Sequence, residues 1–174
     1  MRKVVYGGAM SLDGFIAGPK GEYDWITMDP DMDFAAMMSR YDTFLIGRKT
    51  FEVMRRAGRA GRPTPGIANF VFSRTLRPED CPNATLSDDA ARTVAELRAK
   101  PGKDIALFGG GELFRSLLAV GLVDEVGVSV IPVLLGGGIP LLPPPADRAR
   151  LKLKQHRVYT KTGTIGLEYE ILPK

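Results

Sequence analysis

One cysteine (Cys81), one histidine (His156) and one tryptophan (Trp25) are present among 174 residues. A lone cysteine excludes an intramolecular disulfide and a multi-thiolate metal site. A lone histidine excludes a two-histidine zinc centre, so no metal is expected. No apolar run approaches the roughly 18 residues that span a bilayer, so no membrane partner is expected. The N-terminus is mixed in polarity and continuous with a strand-like run, so no leader peptide is expected and the cytoplasm is the expected compartment. With 44% hydrophobic and 25% charged residues, the composition excludes disorder. At about 150 residues per domain, residues 1–174 are expected to form one domain.

Charge is spread unevenly. The net charge is +4, yet residues 48–77 hold eight cations (Arg48, Lys49, Arg55, Arg56, Arg59, Arg62, Arg74, Arg77) against one acid, Glu52. That stretch is +7, which leaves −3 on the rest of the chain. A local field of this sign holds anions. It lacks the interleaved aromatics of a nucleic-acid groove, so nucleic acid is not the expected partner. A phosphorylated dinucleotide fits the size of the patch better.

Apolar runs at 4–10, 44–46, 70–72 and 105–108 read as strands, the last three bounded by Gly, Ser or Asp as buried central strands are. Between them fall helical signals. Asp29-Pro30 predicts a helix start, and Phe34, Met37, Met38 and Tyr41 continue it as an apolar stripe. Ser87, followed by Asp88 and Asp89, predicts a second helix stopped by Pro101-Gly102. Leu113, Phe114, Leu117 and Leu118 mark a third, ended by Gly121. Strands alternating with helices of this length predict an α/β domain with a largely parallel sheet. The C-terminal third differs. Val126, Val128 and Val130 alternate with small residues, and a three-residue loop at 160–162 with Gly163 left-handed predicts a hairpin. It would pair Leu153 with Tyr169, Leu151 with Ile171, Lys154 with Glu168 and Lys152 with Glu170. His156 then falls on the lysine face as a solvated residue, and Cys81, before Pro82, reads as inert.

Three strand ends carry anion-ready chemistry. Phe108-Gly109-Gly110-Gly111-Glu112-Leu113-Phe114 is a strand passing through three glycines into a helix. The missing Cβ atoms let a ligand approach the backbone, and the free N–H groups at the helix start suit a pyrophosphate. It is neither G-x-G-x-x-G nor a P-loop, and a plain glycine-rich turn is the alternative. Gly47-Arg48-Lys49-Thr50-Phe51-Glu52 repeats the strand–glycine–helix pattern with two cations and a hydroxyl; a capped helix with solvated charges is the alternative. Phe72-Ser73-Arg74 offers a hydroxyl and a guanidinium to a phosphate monoester. In open α/β sheets the strand C-termini form the ligand crevice.

With Ser11-Leu12-Asp13-Gly14-Phe15-Ile16-Ala17 at the end of the first strand, these motifs in this order resemble the dihydrofolate reductase-like superfamily. Within it they are similar to the branch holding the reductase domain of the riboflavin-biosynthesis deaminase-reductase and its stand-alone bacterial relatives. The resemblance runs over essentially the whole chain. It implies a three-layer α/β fold: a mostly parallel mixed sheet, helices on both faces and a C-terminal antiparallel hairpin. It implies NADPH as cofactor, with Phe108, Gly109, Gly110, Gly111, Glu112, Leu113 and Phe114 at the pyrophosphate and ribose. Gly47, Arg48, Lys49 and Thr50 would hold phosphates from the other side, and Ser73 and Arg74 the adenosine 2′-phosphate. Ala9, Met10, Ile16 and Ala17 would line the nicotinamide. It also implies a cis Gly109-Gly110 peptide and a homodimer.

The expected activity is NADPH-dependent reduction of a C=N or C=O bond in a small heterocycle, pterin- or pyrimidine-like. The alternatives are reduction of a ribosylamino-pyrimidine phosphate in riboflavin biosynthesis and, in another class, a non-catalytic dinucleotide- or nucleic-acid-binding protein. Folate reductases carry one carboxylate in the first helix, where Asp31 and Asp33 both fall. Asp31 lies about 70° from the centre of the apolar stripe and Asp33 about 90°, so Asp31 is favoured as proton donor. Acids there also stabilise a helix start, which is the alternative. Ser129 matches the strand hydroxyl that supports such a carboxylate. Trp25 is read as lining the substrate pocket or as core. The Arg/Gly/Pro loop at 58–65 departs from the folate enzymes.

Overall fold

The computed structural model describes residues 1–58 and 64–173. Arg59, Arg62 and most of the loop at 58–65 lie outside the described residues. The elements, in chain order, are β1 Val4–Ser11, β2 Phe15–Ala17, α1 Phe34–Ser39, β3 Tyr41–Gly47, α2 Arg48–Arg56, β4 Ala68–Phe72, β5 Thr85–Ser87, α3 Ala90–Ala99, β6 Asp104–Gly109, α4 Gly111–Ala119, β7 Glu125–Ile131, β8 Ile139–Pro140, β9 Leu151–Tyr159 and β10 Thr164–Ile171.

Eight strands form one sheet in the order β5-β4-β3-β6-β1-β7-β10-β9, and β2 pairs with β8 alongside it. From β5 to β7 all neighbours are parallel; β10 and β9 are antiparallel. The expected three-layer architecture is thus observed. Strand alternation divides the core between the two faces. Val4, Tyr6, Leu45, Ile105, Leu107, Val126 and Val128 pack under Val94 and Leu97 of α3 and Leu113, Phe114 and Leu117 of α4. Tyr6 stacks on Phe114 with ring centroids 4.2 Å apart. Ile46 and Val71 pack under Phe51 of α2 on the opposite face, where Cys81 is buried.

Three sequence expectations are corrected. First, the helix expected from Asp29-Pro30 starts only at Phe34, and its N-cap is Asp33, whose carboxylate accepts from Ala36 N. Asp29 instead caps only the short turn before it: Oδ1 accepts from Asp31 N at 2.9 Å, while Oδ2 accepts from the amide and hydroxyl of Thr162 at 3.0 and 2.9 Å. Tyr41, expected to close the helical stripe, opens β3. Second, Ser87 ends β5, paired with Phe72, so the following helix is capped instead by Asp89, which accepts from Arg92 N at 3.0 Å. Third, the hairpin loop is one residue longer, because Tyr159 pairs with Thr164, and a bulge beside Lys154 restores the register. Leu153–Tyr169, Lys152–Glu170 and Leu151–Ile171 pair as expected, and Gly163 is left-handed (φ 75°). Glu168 now faces Gln155, and His156 faces Leu167, on the Leu153 side of the sheet.

Candidate active site

Two helices start at neighbouring strand ends. α2 follows β3 with Gly47 as N-cap, α4 follows β6 with Gly110 as N-cap, and neither cap offers a side chain to the free N–H groups. The N–H groups of each first turn, which no intrahelical carbonyl takes, are therefore left without a capping side chain. The two turns touch. A Cβ on Gly47 would stand 3.3 Å from Gly109 O and Gly110 N, and one on Gly110 would stand 3.1 Å from Thr50 Oγ1. A Cβ on Gly111 would collide with Pro143 Cδ at 2.8 Å. Glycine is thus required here by close approach of backbone to backbone. The Gly109-Gly110 peptide is cis, as the resemblance implied.

Cations stand at the start of α2, where the helix dipole disfavours them. Arg48 is held by Glu52 at 2.8 Å, and Lys49 is exposed. One strand further out, Ser73 follows β4. Its hydroxyl accepts from Thr75 N and Leu76 N at 3.1 and 3.0 Å, shaping the turn that leaves Arg74 exposed. Of the other residues expected at the cofactor, Leu113 and Phe114 are core, so they offer backbone only. Met10 packs against the core beneath α4, whereas Ala9 points to the opposite face. Ile16 and Ala17 lie in β2, half-buried. Glu112 pairs with Arg115 at 2.6 Å.

The Ser11–Gly14 turn gains a role the sequence did not disclose. Ser11 is fully buried and donates to Asp13 Oδ1 at 2.6 Å while accepting from Phe15 N. Asp13 in turn accepts from Leu135 N and from Gly136 N, the latter at 2.8 Å. The Ser11 hydroxyl and these amides hold its carboxyl below the usual carboxylate range. Asp13 thereby fastens the glycine-rich 136–138 loop over the end of β1.

The two acids expected to protonate substrate are engaged away from the sheet centre. Asp31 precedes α1, is half-exposed and pairs with Lys161 at 2.7 Å; Asp33 caps the helix. The angular preference for Asp31 therefore has no helix to act through. Burial raises the Asp29 carboxyl, but the Asp31 amide and Thr162 outweigh it and hold the group low. Ser129 lies mid-strand in β7, between Ala9 and Gly166. Trp25 is half-buried and donates to Glu22 O at 3.1 Å. Beside the glycine turn, a cavity of about 430 Å³ is walled by Phe34, Met38, Tyr41, Phe44, Ile67 and Phe108, with Phe44 and Phe108 stacked at 5.5 Å.

The profile of the RibD C-terminal domain matches residues 2–164. The chain belongs to that family. The uncharacterized protein YyaP of Bacillus subtilis is 35% identical over 178 residues, covering 97% of this chain and 94% of its own. A candidate riboflavin biosynthesis protein of Shewanella sp. PV-4 superposes with a TM-score of 0.79 at 27% identity, covering 98% of this chain and 99% of its own. The dihydrofolate reductase of Enterococcus faecalis, solved with NADP(H) and RAB-propyl, superposes at 0.71 with 17% identity, covering 98% and 97%. At that identity the likeness is one of fold. Membership and fold together support a reductase of the riboflavin-biosynthesis type. No helix among the described residues is long and apolar enough to cross a membrane.

Proposed function

We propose that the protein is an NADPH-dependent reductase acting on a flat heterocycle, pterin- or pyrimidine-like. One observation carries this reading: two uncapped helix N-termini, at Gly47 and Gly110, meet at adjacent strand ends with only glycine backbone between them. That geometry suits a pyrophosphate. The E. faecalis fold neighbour was solved with NADP(H), which favours the same cofactor here. The amides at the starts of α2 and α4 would hold its phosphates, with Arg48, Lys49 and Thr50 beside them. Ser73 orders the turn that presents Arg74 to a 2′-phosphate. Ala9 and β2 would border the nicotinamide, whose position Asp13 secures through the 136–138 loop. Bound NADPH supplies the hydride. The family name favours a riboflavin-pathway pyrimidine as the ring reduced.

The uncovered apolar side of the β9–β10 hairpin, with Leu151, Leu153, Val158 and Ile165 exposed, favours a second copy of the chain as partner. The cofactor reading is tested by fluorescence titration. NADPH should bind at least about tenfold more tightly than NADH, the worth of one charge-assisted bond to phosphate. Equal affinities would refute it.

A further inference from the structure

Beneath α1 the centre of the sheet is bare. On the face turned towards α1, alternation brings Gly7 and Ala9 of β1 beside Gly127 and Ser129 of β7, and Ser129 beside Gly166 of β10. A Cβ on Gly7 would meet nothing within 4 Å and one on Gly127 nothing closer than 3.8 Å, whereas one on Gly166 would touch the Tyr159 ring at 3.4 Å, so the open part of the floor lies on β1 and β7. None of these three glycines has the left-handed backbone that would require glycine. Central strands ordinarily carry β-branched or aromatic residues, so the small side chains leave a flat floor rather than relieve strain. From β6 to β10 three strand spacings cover roughly 14 Å, and two residues along a strand roughly 7 Å, which leaves room for two fused six-membered rings between the flanking side chains.

The floor has one wall on each side. Next to Gly7, one step beyond the Tyr6–Leu107 pair, stands Phe108. Next to Gly127 stands Glu168, whose Cγ would lie 3.9 Å from a Cβ there. Above the floor α1 is tied down at its C-cap, where Arg40 reaches Glu125 at 2.7 Å and Glu168 at 3.7 Å. The Glu168 carboxylate accepts one hydrogen bond, from Gln155 Nε2 at 2.8 Å, and its side chain is 37% exposed. A carboxylate has about four acceptor positions, so this one keeps capacity for a ligand.

We propose that Glu168 is the substrate-binding carboxylate. A flat ring lies on the Gly7–Gly127 floor, and the Glu168 oxygens accept from adjacent ring N–H and amino donors on its edge. The substrate class is therefore a heterocycle with such a donor pair, as pterins and aminopyrimidines have. The inference rests on the reductase reading above and places the acid on β10 instead of at Asp31, which pairs with Lys161, or Asp33, which caps α1.

Calorimetric titration of the NADPH-saturated protein with pterin, and separately with 5-amino-6-(5-phosphoribosylamino)uracil, tests it. At least one ring should bind the wild type. Glu168→Gln should weaken that ring about ten- to a hundredfold, as expected for loss of charge-assisted bonds, while NADPH affinity stays within twofold. Gln155→Ala, which removes only the neighbour, should leave ring binding intact. Gly7→Val, which fills the floor on a strand that tolerates valine, should abolish ring binding without loss of the folded state by circular dichroism. The proposal is overturned if Glu168→Gln binds like wild type, if Gln155→Ala weakens binding as much, or if neither ring binds the NADPH-loaded wild type at millimolar concentration. Failure of NADPH itself to bind would instead overturn the reductase reading.

Discussion

Neutralising Glu125 should remove a defined, pH-dependent share of stability. Glu125 opens β7, is 2% exposed, and receives Lys3 at 2.6 Å, Arg40 at 2.7 Å and Lys154 at 2.7 Å. Burial pushes its carboxyl up, but hydrogen bonds from Lys154, Lys3 and Arg40 outweigh that and hold it down to about 2. Against an ordinary value of 4.5, and at about 1.4 kcal/mol per pH unit, the ionised form contributes about 3 kcal/mol. Because the folded value lies below the unfolded one, the contribution is complete above pH 4.5 and is lost as pH falls towards 2. Glu125→Gln should therefore be about 2–3 kcal/mol less stable than wild type in urea at pH 7, with the difference closing below pH 3. The comparison is needed because Asp13, Asp29 and Asp42 are also held low and destabilise both proteins in acid. Arg40 ties α1 to this carboxylate, so Glu125→Gln should also speed exchange of the α1 amides. A stability difference that stays constant from pH 7 to pH 2.5 would refute the reasoning.

Further outcomes follow from individual contacts. Arg74→Ala should bring the NADPH and NADH affinities to within about threefold of each other, read by fluorescence titration, because the exposed guanidinium is the group proposed to meet the 2′-phosphate. Gly111→Ala should cost about 1–3 kcal/mol in urea unfolding, since its methyl would stand 3.0 and 3.1 Å from the backbone oxygens of Pro140 and Leu141 as well as against Pro143. Asp13→Ala should free the amides of Leu135 and Gly136, seen as faster hydrogen exchange confined to that loop and the β1 turn. Light scattering at tens of micromolar should give twice the chain mass, and Leu153→Glu should return the monomer mass.

The glycine-marked strand ends could be read from the sequence because their requirement is local. Gly47 and Gly109-Gly110-Gly111 each mark a place where a strand stops and a helix starts with no side chain between, and short apolar runs bounded by Gly, Ser or Asp place the strands. The segment leading into α1 could not be read this way. Asp29-Pro30 has the chemistry of a helix start, and Asp29 Oδ1 does accept from Asp31 N, but Oδ2 is held by the amide and hydroxyl of Thr162, 133 residues away, and the turn does not continue into α1. α1 buries none of its residues completely, so no apolar stripe opposes the displacement. The angle that favours Asp31 presumes a helix that does not extend that far.

Glu168 is hidden in the sequence for a different reason. With a three-residue turn it falls opposite Lys154, and a lysine–glutamate pair on an edge hairpin looks complete in itself. The turn has one residue more, and a bulge beside Lys154 absorbs it. Alternating sequences cannot reveal that exchange, since the pairs below the bulge keep the same partners either way. Its consequence is chemical. Lys154 swings to Glu125 at 2.7 Å, and Glu168, beside Gly127, is left with a hydrogen bond from Gln155 and a looser ion pair to Arg40 at 3.7 Å. The bulge thus turns a surface ion pair into an acid at the edge of the glycine floor.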